Sequence, residues 1–220
     1  MMAIHLQEEM NSLKRLVLAQ SSLVEGSVLK SVQALERRDT TLASEVIRVD
    51  QLVNRREVEL EEECLKILAL HQPVATDLRF IVSVIKINSD LERIADVAVN
   101  ISKRTLALDA VDNSEPPFDY TLMVSRVLAM FKKALDSLVT IDADAASEVI
   151  VEDDEIDDMH RQTYIYVKER IRTNPHCLEG MLLWLAVSRH LERIADLAAH
   201  IAEDVVYMID GTIVRHSTNS

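Results

Sequence analysis

Two pairs of carboxylates are the residues best placed to do chemistry: Glu92 with Asp96, and Glu192 with Asp196, each inside the string LERIAD. On a helix the i, i+4 spacing sets both acids of a pair on one face. Asn100 follows one turn further along the first face, and His200 along the second. Two like charges at this spacing repel by about 0.2–0.5 kcal/mol on an exposed helix, so a positive group is expected to offset them. Arg93 and Arg193, three residues before Asp96 and Asp196, would do so as ion pairs on a solvated face. A divalent or trivalent cation would do so as well, because hard metals prefer carboxylate oxygens and accept Asn or His as further ligands.

The elements that must carry these residues are legible as a duplication. ASEVI occurs at 43–47 and 146–150, and LERIAD at 91–96 and 191–196, at offsets of 103 and 100 residues. One three-residue gap reconciles the offsets, and it falls where each copy has a proline, near Pro73 and Pro175. Both copies keep the acidic pair and the intervening arginine while neighbouring polar positions change, as at Ser89/Arg189 and Asp90/His190. Metal binding and a charged partner-docking face therefore both stay open. The register set by ASEVI pairs Asp50 with Asp153, and an antiparallel neighbouring helix would bring these acids to the Glu/Asp faces. The denser acidic runs, Glu57 to Glu63 and Glu152 to Asp158, read as solvated faces. His160 occurs in a single half-motif, DDMH, and reads as a surface or capping histidine.

Each copy divides into three helical stretches. Leu6, Met10, Leu13, Val17 and Val24 mark the first apolar face, which fades near Arg37-Arg38-Asp39. Thr40 or Thr41 is the expected cap of a second helix striped by Leu42, Val46, Val49, Val53, Leu60 and Ile67, which Pro73 ends. The third helix carries Phe80, Val84, Ile87, Leu91, Ile94, Ala98 and Ile101. The second copy repeats the pattern over roughly 118–141, 143–173 and 177–209, its last stripe running from Trp184 through Val187, Leu191, Ile194, Ala198 and Ile201 to Val205. Three helices with one apolar stripe each bury them most simply as a three-helix bundle. The expected fold is all-α, with two tandem, sequence-related three-helix bundles at 1–106 and 118–212, a linker at 107–117 around Pro116-Pro117, and a tail at 213–220.

Composition narrows the function classes. With 3 Gly, 4 Pro and 4% aromatics in 220 residues, a β-rich fold lacks its turn residues. A net charge of −13 disfavours a nucleic-acid backbone and an anionic membrane surface as partners. No apolar run approaches the ~20 residues that span a bilayer, and MMAIHLQEEMNSLKR has no signal-peptide core; a cytoplasmic protein without direct membrane insertion is expected. Cys64 and Cys177 read as buried small residues in a reducing compartment, and the eight Met as core filler. There is no phosphate-binding loop and no nucleophile elbow. No Glu has a His three residues later, against a di-iron enzyme.

DLERIADVAVNI (90–101) and HLERIADLAAHI (190–201), with RVDQLVN (48–54) and VEDDEID (151–157), resemble the PhoU family of phosphate-uptake regulators over nearly the whole chain. The resemblance implies tandem three-helix bundles whose E(D)xxxD acids hold metal ions, of the kind Fe, Zn, Mn or Mg. The residues carried over are Glu92, Asp96, Glu192 and Asp196, then Asp50 and Asp153. It departs from the family pattern at Ala95/Ala195, where Gly often stands, and at Val97/Leu197. Because His190 and His200 occur in the second copy alone, unequal sites are expected, the second softer. The resemblance also implies a non-enzymatic homodimer that represses phosphate-starvation signalling through a phosphate ABC transporter and a sensor histidine kinase. The competing readings are a carboxylate-bridged metalloenzyme and a metal-free helical scaffold.

Overall fold

A computed structural model describes residues 2–111, 116 and 119–214, with side chains from residue 5 onward. Among the described residues there are six α-helices: α1 (Met2–Arg37), α2 (Thr40–His71), α3 (Ala75–Asp109), α4 (Tyr120–Thr140), α5 (Ala143–Thr173) and α6 (Leu178–Asp210), with one 3-10 turn at Pro175–Cys177. The first three form one antiparallel bundle and the last three another. Every residue of the two third-helix stripes, Phe80 to Ile101 and Trp184 to Val205, is buried.

Helix ends follow local chemistry. The cap of α2 is Asp39 rather than Thr40 or Thr41: its carboxylate accepts the Leu42 N–H at 2.9 Å, closing the first turn with a better acceptor than a hydroxyl. Asp119 and Asp142 cap α4 and α5 in the same way. At the far ends the chain turns through left-handed residues at Arg38, Gln72 and Ile141, and at Gly211 after α6. Helix α3 runs to Asp109, three residues into the expected linker, and α4 begins at Tyr120 rather than near 118. The rest of that linker (112–115 and 117) and the tail from 215 lie outside the described residues.

The bundles pack against each other through α3 and α6. Lys86 Nζ lies 3.2 Å from Asp204 Oδ1 and 5.1 Å from the Tyr207 ring centroid, while Asp90 faces His200 and Arg104 faces His190. Partner numbers fall on α6 as they rise on α3, so the helices are antiparallel; Val97, seven residues from both Asp90 and Arg104, and Leu197, seven from both His190 and Asp204, stand on the facing stripes. Val97 and Leu197 are both buried, so apolar side chains line the middle of the seam. Buried apolar residues from Met10 to Met208 thereby form one contiguous core through both bundles.

Some expected placements differ. Cys64 is buried, its thiol pushed up to about 12 chiefly by desolvation. Cys177 is half-exposed in the 3-10 turn, where its Sγ lies 2.9 Å from the Asn174 carbonyl oxygen. Met10, Met123, Met130, Met181 and Met208 are core; Met159 is half-buried, and the side chains of Met1 and Met2 lie outside the described residues. Among the described residues no helix is long and apolar enough to cross a membrane.

Candidate metal centres on the helix hairpins

Each third helix lies antiparallel to the second helix of its bundle, and this is what gathers the acids. In the second bundle, α5 contributes Asp153 and Asp157, and α6 contributes Glu192 and Asp196. Oxygens of Asp157, Glu192 and Asp196 lie within 4.8 Å of one another. Asp153 joins electrostatically, raised to about 7 by desolvation and then by Asp196, Asp157, Asp154 and Glu192. Glu192 is buried (7% exposed) and likewise raised to about 7, first by desolvation and then by Asp196. Asp196 is raised by desolvation and by Asp157, against Arg189, His200 and Arg193.

Three oxygens in this group, Asp153 Oδ1, Asp157 Oδ1 and Glu192 Oε2, are buried without a hydrogen-bond partner. Unsatisfied carboxylate oxygens are costly in a folded protein unless something binds them. The four acids supply oxygen donors from two helices, the donor set of a hard cation. His200 is exposed and lines the same depression as Asp153 and Asp196, so the one imidazole there stands at the rim.

The first bundle is built on the same plan with a looser result. Asp50 and Glu57 come from α2, Glu92 and Asp96 from α3. Desolvation and Asp96 raise Asp50; desolvation, then Asp96, Glu57 and Asp50, raise Glu92. Asp50 Oδ1 is again buried without a partner, while Oδ2 accepts from the Asn54 amide at 3.4 Å. Asp96 is exposed, and Asn100 is half-buried one turn beyond it. Among the described residues Asn100 makes no hydrogen bond to these acids.

The ion pairs expected within LERIAD do not form. Arg93 turns back to Asp90, at 3.2 Å, not to Asp96. Glu192 is paired instead with Arg189. Both arginines choose a carboxylate three residues away that is more buried, where the interaction is less screened.

Asp157 is the functional candidate that the acidic-run reading missed. It sits in the string assigned to solvent, yet it lies four residues after Asp153, on the face that also meets α6. That i, i+4 relation was the available signal, and Asn54 holds the same place after Asp50. Glu57 likewise leaves its run to join the first group. His160 is neither surface nor cap: half-buried, it places Nδ1 2.9 Å from the Ser188 hydroxyl, tying α5 to α6, and desolvation lowers its pKa ahead of the charge on Arg189. In the first bundle the matching link is the Asn88 amide donating to the Glu57 carbonyl at 2.8 Å. His190 faces α3 rather than the acids. Desolvation and then Arg104, Arg193 and Arg189 lower it to about 4.

The model of the PhoU domain matches residues 17–105 and again 120–205, one match to each bundle. This chain belongs to the PhoU family. It is 36% identical over 211 residues to the phosphate-specific transport system accessory protein PhoU homolog of Pseudomonas aeruginosa, covering 94% of this chain and 86% of that protein. The PhoU homolog of Aquifex aeolicus is 34% identical, with 95% of each chain covered. The crystal structure of PhoU from Pseudomonas aeruginosa superposes with a TM-score of 0.89 at 35% identity, covering 94% of this chain and 99% of that one. The phosphate transport system regulatory protein PhoU from Streptococcus pneumoniae gives 0.84 at 29% identity, with 95% and 99% covered. Both solved structures share this chain's tandem three-helix architecture, as expected from the duplicated stripes.

Proposed function

We propose that this chain is a non-enzymatic regulator of phosphate uptake and of phosphate-starvation signalling, acting negatively in the cytoplasm. The observation that carries this reading is its similarity, over 94% of its length, to proteins named phosphate-specific transport system accessory protein. The regulatory contacts are with a phosphate ABC transporter and its sensor histidine kinase, made by a homodimer. Deleting the gene should derepress phosphate-starvation genes in rich phosphate. Normal repression in the deletion strain would overturn the reading.

The acid groups hold metal ions in this proposal. In the second bundle Asp153, Asp157, Glu192 and Asp196 are the ligands, with His200 available at the rim. In the first they are Asp50, Glu92 and Asp96, assisted by Asn100. The buried carboxylate oxygens without partners support the assignment, and an oxygen-rich donor set favours Mg, Mn or Fe over Zn. A bound cation supplies positive charge that neutralises the clustered acids and ties α5 to α6, or α2 to α3. Converting Glu192 to Gln together with Asp196 to Asn should abolish metal retention in the second bundle while circular dichroism keeps its helical signal. Unchanged elemental content in that double variant would remove the assignment.

A further inference from the structure

The seam between α3 and α6 has two ends with different electrostatics. At one end acids and bases are matched: Lys86 meets Asp204 at 3.2 Å, Arg93 meets Asp90 at 3.2 Å, and His200 adds its field at Asp90. At the other end the duplication has diverged. His190 stands where the first copy has Asp90, and the antiparallel register sets it against Arg104, which occupies the position matching Asp204. The charges acting on His190 are all positive, from Arg104, Arg193 and Arg189.

Arg189 is partnered by Glu192, whereas Arg104 and Arg193 form no ion pair with any described residue. Two nitrogens here, Arg104 Nε and His190 Nε2, are buried and have no hydrogen-bond partner among the described residues. Buried polar nitrogens of this kind are normally satisfied, by protein, water or ligand. A chain with a net charge of −13 would readily supply a carboxylate, yet none reaches them. Arg193 is exposed, and His190 and Arg104 are half-buried, so the group is open to solvent on one side.

We propose that Arg104, His190 and Arg193 form a binding site for a small multivalent oxyanion of the phosphate or sulfate type, on the α3-facing side of α6 and beside the second acid cluster, whose Glu192 and Asp196 also feel the Arg193 charge. Guanidinium forks match the paired oxygens of such anions and bind them by charge-assisted hydrogen bonds. The site rests on residue placement alone and stands or falls independently of the regulatory reading.

Isothermal titration calorimetry of the full chain with inorganic phosphate, and separately with sulfate, tests it. The expected result is saturable single-site binding, weakened roughly tenfold or more by Arg104→Gln and by Arg193→Gln, and unaltered by Lys86→Gln at the matched end. Arg193 is on the surface, so Arg193→Gln keeps the test decisive should Arg104→Gln unfold. No saturable heat with either anion would overturn the proposal, as would wild-type affinity in both arginine variants or an equal loss in Lys86→Gln. Phosphate held through metal at the acid cluster would vanish in Asp157→Asn and persist in Arg104→Gln. That pattern too would overturn it.

Discussion

Glu192 and Asp153 show what crowding does to a carboxyl. Both are raised to about 7, by desolvation first and by neighbouring acids second. A raised folded-state pKa means that the folded protein binds more protons than the unfolded chain between the ordinary carboxyl range and about pH 7. Stability of the metal-free protein should therefore fall as pH rises through that window and level off above it. Urea denaturation in chelator from pH 5 to 8 checks this, with Glu192→Gln expected to flatten the slope. A slope of the opposite sign would refute the crowding account. Adding Mn2+ should restore stability above pH 7, because a ligand bound only by the folded state shifts the equilibrium by mass action.

At the scale of elements, the hairpins are shaped by their end residues. Asp142 caps α5 through the Ala145 N–H at 3.0 Å. Asp142→Ala should cost about 1 kcal/mol of unfolding free energy, read from the denaturation midpoint. Just before it, Ile141 holds φ at 55°, a left-handed conformation that a β-branched residue adopts only at a cost. Ile141→Gly should stabilise the protein by about 1 kcal/mol, since it removes that strain at a residue 51% exposed. A loss of stability instead would mean that its contacts outweigh the backbone penalty.

For the whole molecule, the seam decides whether two bundles behave as two units or one. Their buried residues form a single cluster, in which Val97 and Leu197 stand on the facing stripes of the seam. Leu197→Ala should open a cavity in the seam, costing about 2–5 kcal/mol. It should also split one cooperative unfolding transition into two, seen as separate transitions in calorimetry. A single transition with unchanged midpoint would show that the seam is looser than its register implies.

Six helices, their stripes and their duplication were legible in the sequence, because the 3.6-residue period and the Pro punctuation are local properties of the chain. Phe80 to Ile101 and Trp184 to Val205 are buried as their spacing dictates, and Glu92, Asp96, Glu192 and Asp196 announce themselves by repetition. Local pattern could not say which arginine meets which acid: Arg93 goes to Asp90 and Arg189 to Glu192, because burial weakens screening and burial is set by neighbouring helices. Nor could it separate Asp157 from the solvated acids around it, since only the antiparallel approach of α6 turns that one carboxylate inward. The difference between the charge-matched end and the positive end of the α3–α6 seam arises in the same way. Residues about a hundred positions apart in the chain become neighbours only when two bundles share one core.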